Sequence, residues 1–231
     1  MSWHQGPLVG FDLETTGTDV ETDRIVTAAL IRLEPDGAVT EMRTWLLDPG
    51  VVIPEQAAAI HGIATDHARR HGVRAASAVE EIAHAVAGVL RSGVPLVVMN
   101  ARYDLSLLDR ECARYGLASV EQRIGGVPSP VIDPLVIDKH VDKYRKGKRA
   151  LQALCEHYGV TLSDAHDAAA DAVAAVRVVR RMGERHRPVG TLPPPNSTPS
   201  RSAPPPNSPP PSRPTSAARP TRKRWWSRRG R

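Results

Sequence analysis

Cysteine is scarce in this 231-residue chain, which has only Cys112 and Cys155. Each sits among apolar residues in a helical pattern, and neither has the close Cys spacing of a metal site. A disulfide scaffold and a thiolate metal centre are excluded, and buried reduced thiols in a reducing compartment are expected. Long apolar runs are missing as well: no uncharged stretch approaches the roughly 18 residues of a membrane span. The first residues, Met1-Ser2-Trp3-His4-Gln5-Gly6-Pro7, lack the basic start and apolar run of a signal peptide. A cytoplasmic location is the expectation. No internal repeat is present. Acid is absent from one whole segment: residues 188–231 hold nine Lys/Arg and no Asp/Glu. The formal net charge of +6 therefore belongs to that segment. Residues 1–187 carry 22 Lys/Arg against 25 Asp/Glu, a balance of −3. The high pI does not signal a basic face on the folded part.

Composition divides the chain after residue 187. Thirteen of the 21 prolines lie in residues 188–231, with many Ser and Thr. Such a segment cannot bury a core, so an extended, disordered linker is expected there. It ends in Thr221-Arg-Lys-Arg-Trp-Trp-Ser-Arg-Arg-Gly-Arg231. Arginine neutralises phosphate and indole stacks on unpaired bases, but the same composition suits an anionic membrane surface or a merely sticky terminus. Residues 1–187 are long enough for one domain with a sizeable core.

Within that domain, Pro7–Leu13 reads as a strand buried on both faces. Arg24–Leu33 and Ala38–Leu47 are β-rich runs joined by Glu34-Pro-Asp-Gly37, a turn signal, and predict a hairpin. Residues 54–71 read as short helical pieces and Ala75–Arg91 as a helix. Val94–Met99 predicts a compact strand, and Tyr103–Tyr115 an amphipathic helix stopped by Gly116. Val131–Asp133 suggests a further strand, and Arg149–Tyr158 and Asp167–Arg185 are helical. An early hairpin followed by alternating strands and helices implies an α/β domain with a mixed sheet.

Three patches carry chemistry. Asp12 and Glu14 lie two apart on a strand, so both carboxylates leave one face while Leu13 points to the other. Paired carboxylates repel unless a cation lies between them, and hard oxygen ligands suit Mg²⁺ or Mn²⁺. Thr15-Thr16-Gly17 then ends the strand and leaves room for a nucleotide. Asp104 opens the helix after Val94–Met99, at the same end of the sheet if the two strands are neighbours. Asp171 lies on a helix rich in Ala168, Ala169, Ala170, Ala172, Ala174 and Ala175, small residues that let it approach the sheet. His166 stands at that helix start, after the capping candidates Ser163 and Asp164, with Asp167 a first-turn residue. A histidine there can take a proton from water near neutral pH. Taken singly, each residue has a structural reading: an exposed acidic strand face, a helix-terminal charge favoured by the dipole, a surface histidine. Together the patches point to metal-dependent cleavage of phosphodiester bonds. Asp133, before Pro134, reads as a helix cap. His61 is either structural or substrate-facing.

Val9-Gly-Phe-Asp-Leu-Glu-Thr-Thr-Gly17, Ile60-His-Gly-Ile63, Asn100-Ala-Arg-Tyr-Asp104, Leu151-Gln-Ala-Leu-Cys-Glu-His-Tyr-Gly159 and His166-Asp-Ala-Ala-Ala-Asp171 occur in this order. In that order they resemble the DEDDh-type 3′–5′ exonucleases, the family of the proofreading epsilon subunit of bacterial DNA polymerase III. The resemblance spans residues 7–185. It implies a ribonuclease-H-like fold with a five-stranded mixed sheet flanked by helices, and two Mg²⁺ or Mn²⁺ ions. Asp12, Glu14, Asp104 and Asp171 would hold the ions and His166 would be the general base. Thr15, Thr16, His61 and Asn100 would line the pocket of the terminal nucleotide. Single-stranded DNA 3′ ends would be the substrate, with RNA the alternative, and a DNA polymerase subunit a candidate partner. Two positions depart from the family: Met99 where histidine is common, and Tyr103 where phenylalanine is common. Lys143, Arg145, Lys146, Lys148 and Arg149 form a basic stretch that reads either as a solvated loop or, since the resemblance places it near the site of an otherwise acidic domain, as a grip on the substrate backbone. A rival of another class is a polymerase-associated tethering protein that acts through its tail.

Overall fold

The structure is a computed structural model and describes residues 2–163 and 165–191. After a 3₁₀ turn, Trp3–Gln5, come β1 (Leu8–Thr15), β2 (Ile25–Leu33) and β3 (Val39–Asp48). Two short helices follow, α1 (Glu55–His61) and α2 (Thr65–His71), then β4 (Val73–Arg74) and α3 (Ala75–Ser92). Next are β5 (Leu96–Val97), α4 (Ala101–Arg114), α5 (Val120–Ile124), β6 (Val131–Ile132) and α6 (Pro134–Val141). The described chain closes with α7 (Leu151–Tyr158), α8 (Ala168–Arg185) and α9 (Arg187–Gly190).

The strands form one mixed sheet in the order β4-β3-β2-β1-β5-β6. β1, β2 and β3 pair antiparallel, while β5, β6 and β4 join parallel. Six strands stand where five were expected. The extra one, β4, has only two residues, and it pairs with the end of β3 through Leu47 and Asp48. A strand of two residues leaves no alternating pattern to read. The buried segment at residues 94–99 pairs as a strand only over Leu96–Val97. Its flanks still bond to both neighbours, Pro95 C=O accepting from Val9 N–H and Val98 N–H donating to Ile132 C=O.

Alternation along β1 sends Val9, Phe11 and Leu13 into one core and Leu8 into another. The first core packs the sheet against α3 and α4 through Val79, Ile82, Val86, Leu107 and Leu108. The second packs it against α8 through Ala168, Ala172, Ala175, Val176 and Val179. The alanines of α8 do what the sequence suggested. A Cβ placed on Gly10 would lie 2.3 Å from the Ala172 carbonyl oxygen, so helix and strand touch backbone to backbone there. Cys112 and Cys155 are free and buried. Among the described residues, no helix is long and apolar enough to cross a membrane.

Candidate active site

Gly10, Asp12 and Glu14 share the face of β1 that α8 covers, so Asp171, on the first turn of α8, comes over the two carboxylates. Asp104 reaches the same point from the first turn of α4 and is almost fully buried. Its Oδ1 accepts from the Leu13 backbone N–H at 3.1 Å, which ties α4 to the strand between the other two acids. The structure thus brings together all four acids singled out in the sequence. Burial pushes the Asp12 carboxyl well above the usual range, and the charges of Asp104, Asp171 and Glu14 add to the shift. Burial likewise raises Asp104 well above its ordinary value. Glu14 is pushed up to about 7, first by burial and then by Asp171 and Asp167. Asp171 is raised by burial, and the backbone and ring of His166 hold it down in part.

Such a cluster is costly as bare anions and favours a bound cation. Three ligating atoms, one each from Glu14, His166 and Asp171, lie within 4.8 Å of one another. The buried Oδ1 of Asp171 has no hydrogen-bond partner among the described residues. An unpartnered carboxylate oxygen among crowded acids fits a hard divalent cation.

His166 is exposed and adopts a left-handed backbone conformation, φ 70°, just ahead of α8. The cap of that helix is Asp167, whose carboxylate accepts from Ala170 N–H at 2.9 Å. This corrects the expectation that Ser163 or Asp164 caps the helix and that Asp167 is a first-turn residue. A side chain one residue before the helix closes the cap with the tighter local loop. Asp164 lies outside the described residues.

The residues expected to line a nucleotide pocket fall into different environments. The Thr15 hydroxyl donates to Gly17 C=O at 2.6 Å and lies 2.9 Å from the Tyr103 hydroxyl. Tyr103 itself donates to Gly17 C=O at 2.5 Å. The phenol that distinguishes this chain at position 103 therefore clamps the loop after β1. Thr16 turns inward: its hydroxyl donates to Asp23 at 2.8 Å and accepts from Arg24 N–H at 3.0 Å. Gly17 packs on the same Asp23, where a Cβ would lie 2.5 Å from the carboxylate. Asn100 is exposed in a left-handed conformation, φ 59°, which asparagine tolerates better than most residues. His61 ends α1 beside Thr15 and His166, and burial lowers its pKa. Its Nδ1 accepts from Ile63 N–H at 3.1 Å, which leaves the proton of the neutral ring on Nε2. Met99 is half-buried against the apolar residues beneath α7 and α8.

Sequence reasoning missed the second task of Asp133. It caps α6 by accepting from Leu135 N–H, as expected, and it also accepts from the N–H groups of Asn100 and Ala101 at 3.1 and 3.0 Å. No local signal marks a bond across 33 residues. The basic stretch is corrected in part: Arg145 and Arg149 both turn inward onto the buried Asp138.

The exonuclease family of RNase T type matches residues 9–179. A PolC-type DNA polymerase III from Lacticaseibacillus paracasei is 30% identical over 166 residues, 72% of this chain and 10% of the relative. A DNA polymerase III subunit epsilon-like protein from Rhodobacter capsulatus is 31% identical over 179 residues, 75% of this chain and 23% of its own length. The chain thus spans between a tenth and a quarter of these relatives. Exonuclease I of E. coli in complex with a dA16 oligonucleotide superposes with a TM-score of 0.65 at 20% identity, over 80% of this chain and 42% of the other. The zinc-bound form of the same enzyme with single-stranded DNA gives 0.66 at 21% identity, with the same coverage. At that identity the likeness is one of fold, the expected ribonuclease-H-like sheet with its flanking helices. The sequence match begins in β1 and ends in α8, the two elements that press the carboxylates together, and the chain belongs to the exonuclease family.

Proposed function

We propose that this chain is a divalent-metal-dependent 3′–5′ exonuclease that releases nucleoside 5′-monophosphates from DNA 3′ ends, in proofreading or repair. One observation carries the reading: Asp12, Glu14, Asp104 and Asp171 converge at one end of β1, with His166 on the loop beside them. Residues 1–187 would be the exonuclease domain, with α9 and its buried Val189 closing it, and the Pro/Ser-rich remainder up to Arg231 a separate arm. A polymerase subunit is the partner suggested by relatives named as parts of DNA polymerase III.

The four carboxylates would hold two Mg²⁺ or Mn²⁺ ions. Such ions, when bound, lower the pKa of water and stabilise charge on the phosphate and the leaving 3′ oxygen. The protein's own part is to fix geometry and move one proton. Asp104 is pinned by Leu13 N–H, which holds its carboxyl beside Asp12 and Glu14. His166 is set beside Asp171 by the left-handed turn at its backbone and takes the proton of the attacking water on its ring. Tyr103 and Thr15 hold the loop against which the last nucleotide rests, and the Nε2–H of His61 is a donor on the same side.

The test uses a 5′-labelled single-stranded DNA oligonucleotide with Mg²⁺. Stepwise shortening from the 3′ end, absent with Asp12→Ala, is expected. Faster shortening of the matching RNA would favour an RNA-trimming enzyme, because the same residues serve either backbone. No shortening of DNA or RNA would move the reading to a tethering role for the Pro-rich segment, of which residues 192–231 lie outside the described residues.

A further inference from the structure

A cavity of about 550 Å³ opens beside His166 and Asp171, and Lys148 is the single Lys or Arg among the residues lining it. Lys148 lies in the segment between α6 and α7, which has no regular secondary structure. That segment is held by one buried carboxylate. Asp138, near the end of α6, is fully shielded from solvent. It accepts from Arg145 at 2.8 Å, from the Tyr158 hydroxyl at 3.0 Å, and from Arg149. Arg145 turns its other terminal nitrogen, Nη1, to the Lys148 carbonyl at 3.3 Å. Arg149 donates to the carbonyls of Asp142 at 2.6 Å and Arg145 at 3.3 Å. Two of the five cations of this stretch are therefore spent inside the protein, where they neutralise Asp138 and shape the backbone. A carboxylate buried this deeply releases its partners only at a large desolvation cost.

We propose that Lys148 binds a backbone phosphate of the strand entering this cavity, and that Asp138, acting through Arg145, is the residue that positions it. The inference rests on the exonuclease reading of the neighbouring carboxylates. The physical need is plain: a polyanion approaching four acidic residues requires a cation at the entrance, and an ammonium on a flexible stem is a suitable point charge.

Binding of a single-stranded oligothymidylate to the full chain is measured by fluorescence anisotropy across a salt series. Asp12→Asn is present throughout to prevent cleavage. Lys148→Ala should make the plot of log Kd against log salt shallower by about 0.7, the loss of one phosphate contact. Lys148→Arg should restore the slope. Asp138→Asn and, should that variant fold poorly, Arg145→Gln should reproduce the shallower slope, with no further change when combined with Lys148→Ala. An unchanged slope in Lys148→Ala overturns the phosphate contact. A normal slope in folded Asp138→Asn and Arg145→Gln overturns the positioning chain. Failure of the parent chain to bind any oligonucleotide overturns the exonuclease reading along with it, an outcome separable from the first two.

Discussion

Glu14 and Asp12 stand on one face of one strand because side chains alternate at a period of two, which turns Leu13 to the other face. Their raised pKa values have a consequence for the metal-free protein. A carboxyl raised in the folded state adds stability at low pH, and that stability is lost as pH rises through the folded value. For Glu14 the window runs from its ordinary value of 4.5 up to about 7. The metal-free chain is therefore expected to melt at lower temperature at pH 8 than at pH 5.5. Asp12→Asn should flatten the difference, since it removes the group shifted by all three of the others. Melting curves at the two pH values check this. Tyr103 offers a second test. Tyr103→Phe keeps the ring and loses the phenol's bond to the Gly17 carbonyl, worth about 1 kcal/mol in a part-buried site. The KM for oligonucleotide should rise about fivefold with kcat little changed, because the loop positions substrate and does not touch the reacting atoms. The acids and His166 were legible in the sequence because their spacing within each patch is local. The inward turn of Thr16 was not, because it depends on Asp23, seven residues away across a loop.

Among the elements, β1 and α8 decide whether there is a site at all. Their contact at Gly10 leaves no room for a methyl group. Gly10→Ala is expected to push α8 outward, cost about 1–3 kcal/mol as overpacking, and withdraw Asp171 from Asp12. Thermal melting and nuclease assays should then fall together, and a variant with normal Tm and normal activity would show the contact to be softer than drawn. Asp167→Ala removes the cap of α8, at about 1 kcal/mol, and frees the His166 loop. The hairpin β2–β3 and helices α3, α4 and α8 were all readable, since each is long enough to show its period. β4, with two residues, was not. The five residues of α5 were missed as well, although Ser119 and Gln122 form a capping box there. Only the neighbours of such short pieces settle their form.

At the scale of the molecule, the balance of charge is the governing fact. The domain is mildly acidic, its site is strongly so, and the cations that face the site are few. A divalent ion that binds the folded chain and not the unfolded one must stabilise it by mass action, by about 2.7 kcal/mol at a hundredfold excess over Kd. The expectation of a disordered arm from residue 188 does not hold for its first residues, where α9 runs to Gly190 and Trp3 Nε1 donates to the Val189 carbonyl at 2.9 Å; its remainder, residues 192–231 with Trp225 and Trp226, lies outside those described. The metal site is tested most directly by calorimetric titration of Mn²⁺ into the full chain at pH 7, repeated in buffers of different ionisation enthalpy. Two ions per chain are expected, with protons released as the raised carboxyls give way to metal and with binding lost in Asp12→Asn. Absence of binding, or binding with no proton release and no sensitivity to Asp12, would contradict the metal site.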